Sequence, residues 1–139
     1  MTNDTLHKLR YSKADGEKYR SLIQDELSPF YGATFKDLFI YAATYGFRYG
    51  MRQKLIRPQS NIPLSVFSKE ELWLLKAIAI TESKSLHILN NEKAMYQISE
   101  EYANGVLETI NLEVFGGKPG EPYRRMMQDV LDEFARMQK

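Results

Sequence analysis

Apolar positions along the chain recur at steps of three and four through most of its length, the spacing of residues that share one helical face. Between Ala14 and Leu27 they fall at Tyr19, Leu22, Ile23 and Leu27. Ser12 or Asp15 is placed to cap the start, and Ser28-Pro29 to stop the helix. A second helix is predicted from Thr34, whose hydroxyl can cap, with Asp37 completing a box-like start. Phe35, Leu38, Phe39, Ala42, Ala43 and Tyr45 surround most of its circumference, which predicts the central helix of the fold, and Gly46 suits its left-handed C-terminal residue.

From Phe47 to Phe67 no period is sustained, so a loop is expected there, with a short strand at Leu64 to Phe67. Ser68, with Glu71 three residues on, forms a capping box ahead of the core-like run LWLLKAIAI. Leu86 to Leu89 reads as a turn or connecting helix. A long helix follows from Asn91, with Met95, Ile98, Tyr102, Val106, Leu107 and Ile110 on one side and a candidate kink at Asn104-Gly105. Residues 116–122, GGKPGEP, read as a linker. A last helix carries Tyr123, Met126, Met127, Val130, Leu131 and Phe134 as its stripe, with Pro122 suited to its first turn. The expected fold is mainly α: one compact domain over residues 1–139, of about five helices, with one or two short N-terminal or central strands. Residues 1–13 form a basic lead-in, flexible or strand-forming.

Composition adds exclusions. The absence of cysteine rules out disulfides, thiol catalysis and the usual structural zinc sites. No stretch approaches the roughly 18 apolar residues of a membrane span, and the start MTNDTLHKLR lacks the apolar centre of a signal peptide. A cytoplasmic protein without membrane association is expected. The net charge of +1 hides a polarity: residues 1–69 hold 11 Lys/Arg against 6 Asp/Glu, and residues 70–139 hold 8 against 12. The stretch from Leu38 to Lys69 has five basic residues and no acid. Such segregation favours a basic face for phosphate or an acidic partner, unless the two halves interleave in space.

Candidate catalytic chemistry is thin. His7 and His87 stand far apart with no ligand near either at metal spacing. Glu100 and Glu101 are neighbours about 100° apart on a helix, which predicts a solvated face rather than a carboxylate pair acting on one substrate. Gly116, Gly117 and Gly120 beside Lys118 lack the Ser/Thr and the preceding strand of a phosphate loop. No enzyme activity, metal or cofactor is expected.

The basic features are richer. Residues 45–58 interleave Tyr45, Phe47 and Tyr49 with Arg48, Arg52, Lys54 and Arg57. Arginine can pair with phosphate and aromatics can stack on exposed bases; equally, the aromatics can finish the core. A strand over residues 7–12 would put Lys8, Arg10 and Ser12 on one face, with Leu9 and Tyr11 on the other. Two such strands from a homodimer could form a ribbon in the major groove of double-stranded DNA. The order strand, helix, helix resembles the ribbon-helix-helix family, although a proline sits between the helices and the chain continues more than 80 residues beyond them.

Across residues 8–134 the pieces LRYSK, FKDLFIYAATYGFRYGMR, SVFSKEELWLLKAIAITES, ISEEYANGVLETI and KPGEP resemble the Dnd system-associated proteins of type four. The best-marked pieces are Glu100-Glu101-Tyr102-Ala103-Asn104-Gly105 and Phe39…Ala42-Ala43…Gly46. Val106 departs from the family pattern, which tends to a second glycine there. The resemblance implies a bacterial or archaeal accessory of machinery that puts sulfur into the DNA backbone or restricts unmodified DNA, in defence against phage. It carries over no catalytic residue. Two readings stay open: an accessory that docks on other proteins of the modification or restriction system, and a DNA-binding regulator using Lys8, Arg10, Arg48, Arg52, Lys54 and Arg57. A continuous basic face would favour the regulator. Basic residues paired with Glu100, Glu101 and Asp129, beside an exposed apolar patch, would favour the accessory.

Overall fold

The computed structural model describes residues 8–116 and 121–138, so residues before Lys8, His7 among them, and the centre of the expected linker lie outside the described residues. The chain is mainly α, with five α-helices among the described residues: α1 (Gly16–Gln24), α2 (Phe35–Tyr49), α3 (Lys69–Ser83), α4 (Glu92–Phe115) and α5 (Glu121–Met137). Strand β1 (Lys8–Ser12) pairs antiparallel with β2 (Pro58–Pro63), from Lys8 opposite Pro63 to Ser12 opposite Pro58, with an irregularity between Leu9 and Arg10.

Both expected capping boxes form. Thr34 Oγ1 accepts from the Asp37 N–H at the start of α2, and Ser68 Oγ accepts from the Glu71 N–H at the start of α3. Each satisfies an amide that the first helical turn leaves without a partner. The helix ahead of Ser28 is shorter than its apolar spacing implies: α1 stops at Gln24, and Leu27 is left at the surface.

The central helix is α4, not α2. A stripe including Met95, Ile98, Tyr102, Val106, Leu107 and Ile110 lies buried along it, and α2 and the β1–β2 ribbon pack against it. Both expected glycine roles differ from the sequence reading. α2 runs through Gly46 to Tyr49, and the left-handed C-terminal residue is Gly50, at φ 68°. α4 runs unbroken through Gly105. The two glycines mark instead where α2 and its exit touch α4: a Cβ at Gly46 would lie 2.2 Å from the Tyr102 carbonyl oxygen. The strand expected at Leu64 to Phe67 lies earlier, at β2, and Leu64–Val66 form a 3-10 turn. Prolines at both ends of β2 disguise it in the sequence, yet a two-stranded ribbon tolerates them because each strand has an edge that needs no ladder donor.

Candidate functional site

The segment from Gly50 to Arg57, between α2 and β2, crosses the middle of α4, and the run Glu100 to Gly105 holds it there. Glu100 is 1% exposed. Its Oε1 accepts from Arg10 Nη2 at 2.9 Å and its Oε2 from the Arg10 backbone N–H at 2.7 Å. Burial pushes this carboxyl above the ordinary carboxylate range, against the hydrogen bonds and charge of Arg10. One residue on, Glu101 accepts from Arg52 Nε at 2.7 Å and from Gln97 Nε2 at 3.0 Å. Burial would raise it too, but the hydrogen bonds from Gln97 and Arg52, with the charges of Arg52 and Lys54, outweigh burial and leave it below that range.

The same stretch pins the loop backbone. The Glu101 carbonyl accepts from the Gln53 N–H at 3.1 Å. Asn104 Nδ2 donates to the carbonyls of Gln53 and Lys54 at 3.1 and 3.0 Å, and its Oδ1 accepts from Ser12 Oγ at 2.7 Å. Ser12 Oγ accepts in turn from the Ile56 N–H at 2.9 Å, and the Lys13 N–H donates to the Arg57 carbonyl at 3.1 Å. Arg52 also pairs with Glu82, whose other oxygen accepts from the Tyr102 hydroxyl at 2.5 Å. Three elements thus clamp one loop.

The solvated face expected for Glu100 and Glu101 is therefore absent; both are buried, each against its own arginine. Their separation about the helix is what lets one hold β1 and the other the loop. Of the six basic residues singled out, Arg10 and Arg52 are engaged in ion pairs within the chain. Lys8 is exposed at the start of β1, and Arg48 is exposed too, with its guanidinium 5.5 Å from the Tyr49 ring centre. Lys54 and Arg57 are exposed on the clamped loop. Among the described residues none of Lys8, Arg48, Lys54 and Arg57 forms an ion pair, so the six do not make one continuous set.

The interleaved aromatics divide as well. Phe47 packs edge-on against Tyr102 at 5.5 Å, Tyr45 donates to Glu113 at 3.2 Å, and Tyr49 is exposed. Sequence reasoning missed Asn104, Glu82 and Ile56. One signal was present: Glu100 falls on the spacing of Ala103, Leu107, Ile110 and Val114, a charge placed on an apolar stripe.

A second surface lies on α5, where every residue from Met127 to Gln138 is exposed. Met127, Val130, Leu131, Phe134 and Met137 fall within about 120° of arc at the helical period, with Asp129, Asp132, Glu133 and Arg136 on the remainder. Arg136 pairs with Glu133, while Asp129 makes no ion pair among the described residues. No cluster of His, Cys, Asp and Glu able to hold a metal occurs among the described residues, and none of their helices is long and apolar enough to cross a membrane.

No curated protein and no solved structure matches the chain. One family model does, over residues 8–135, and it takes in β1, the clamped loop and nearly all of α5. The chain belongs to the family of DNA sulphur modification system-associated protein 4.

Proposed function

We propose that this chain is a non-enzymatic accessory of a DNA sulphur-modification system of bacteria or archaea, serving anti-phage defence in the cytoplasm. It docks on other proteins of that system through α5 and meets double-stranded DNA through the loop after α2. The observation that carries the docking role is the uncovered apolar arc of α5. Most helical stability in proteins comes from packing an apolar face against something. With Val130 67% and Phe134 60% exposed, that face has no cover within the described residues. The acidic flank of α5 suits an apolar groove with a basic rim, entered by helix-in-groove docking.

The ribbon-helix-helix regulator is the weaker reading. β1 pairs with β2 of its own chain, and on its other side the Arg10 N–H is bonded to Glu100. A second copy would have to displace one of these to build an intermolecular ribbon.

Co-expression of the tagged chain with the other proteins of its system tests the docking role. A complex that co-elutes with the wild type and is lost with Val130→Asp/Phe134→Asp is the expected result. Retention of the complex by that variant would overturn the assignment to α5. A dimer mass for the chain alone, abolished by the same variant, would give the arc to a second copy instead.

A further inference from the structure

We infer that Ile56 is an apolar wedge that enters a base step of double-stranded DNA from the minor groove, with Lys54, Arg57 and Lys13 set against the flanking phosphates. This inference rests on the DNA-contact half of the function proposed above. Ile56 is 72% exposed, at the end of the β1–β2 ribbon where Ser12 faces Pro58. A large aliphatic side chain held mostly in water gains by moving to an apolar environment, and the gap between unstacked bases is one. A loop tip also fits a groove about 6 Å wide, which a helix does not.

The tip is rigid. Ile56 donates its N–H to Ser12 Oγ at 2.9 Å, and its carbonyl accepts from the Lys13 N–H at 3.3 Å. The preceding residues are tied to α4 through Asn104 and Glu101. Arg57 is held at φ 52°, a left-handed conformation that a non-glycine residue keeps only when its surroundings impose it. Ordering of the loop is complete before any ligand arrives, so binding does not bear that cost.

The charges around the tip are one-sided. The acids that hold the loop and the start of α1 are bonded to other cations, Glu100 to Arg10, Glu101 and Glu82 to Arg52, Asp15 and Glu108 to Lys18, although Glu101 also feels the charge of Lys54. Lys13, Lys54 and Arg57 are exposed and form no ion pair among the described residues. Cations flanking an apolar tip are the pairing by which minor-groove proteins prise open a base step while holding the backbone.

A duplex carrying 2-aminopurine and a fluorescein end label reports unstacking and affinity in one titration, run across a series of salt concentrations. The wild type should bind with a negative salt slope and raise the 2-aminopurine emission. Ile56→Ala should keep the slope and lose the emission rise, and Lys54→Ala/Arg57→Ala should make the slope shallower by about 0.9 for each phosphate no longer neutralised. All three substituted side chains are exposed, so the variants should fold. Binding without any rise in emission, or a rise undiminished in Ile56→Ala, would overturn the wedge while leaving DNA contact standing. Absence of binding even at low salt would overturn both.

Discussion

The carbonyl oxygen of Met51 occupies space that a side chain at Gly105 would need: a Cβ there would lie 1.6 Å from it. This one approach explains why the loop after α2 can lie flat on α4, and why a glycine stands in the middle of a long unbroken helix despite its cost of about 1 kcal/mol there. Gly105→Ala should destabilise the chain by about 3 kcal/mol in denaturant unfolding, since backbone must shift to admit the methyl group. Gly50→Ala, at φ 68° but with open space around it, should cost about 1 kcal/mol and so separates strain from collision.

Removing one partner of the Arg10–Glu100 pair should be costly. Glu100→Ala leaves the half-buried Arg10 guanidinium and its backbone N–H without their acceptor, and a loss of about 3 kcal/mol is expected. The double variant Arg10→Met/Glu100→Leu should recover most of that loss, because an apolar pair needs no desolvation of charge. Equal losses in the single and double variants would show that the pair itself supplies the stability.

The adjacent glutamates should titrate on opposite sides of the ordinary value of 4.5. Carbon-detected NMR of the side-chain carboxyls should place Glu100 above it and Glu101 below it. The signs for stability then differ. Glu101 contributes stability that is fully present above its unfolded value and is lost as pH falls through its depressed folded value. Glu100 binds its proton more readily folded than unfolded, so its contribution declines as pH rises from 4.5 through its raised folded value. Glu101→Gln should therefore flatten the acid limb of the stability curve, and Glu100→Gln should not.

On α5, Val130→Asp/Phe134→Asp should leave the unfolding of the body unchanged to within about 0.5 kcal/mol, since both side chains are exposed. The same pair of changes should abolish co-elution with the partner. A large loss of stability would mean that the arc is packed within the chain.

Local physics made much of this legible in the sequence. The boxes at Thr34/Asp37 and Ser68/Glu71 each involve residues three apart, and α5 declares itself by its stripe. What misled was every feature set by distant residues. Gly46 has the look of a helix end, but its role is contact with Tyr102 of α4. β2 is bounded by Pro58 and Pro63, and only its pairing with β1 makes it a strand. Glu100 and Glu101 look solvated because their partners, Arg10 and Arg52, stand 90 and 49 positions away along the chain. The six basic residues look like one set in the sequence, yet Arg10 and Arg52 are paired with acids of the same chain, while Lys54 and Arg57 form no ion pair among the described residues. Nothing within a few residues of each distinguishes the two kinds.

Hydrogen–deuterium exchange of the α5 amides, with and without the protein that co-elutes, tests the docking role at residue level. Amides from Val130 to Met137 should exchange rapidly in the chain alone, as in a helix exposed all round, and become protected in the complex. Strong protection in the isolated chain, or exchange unchanged by the partner, would contradict α5 as the docking element.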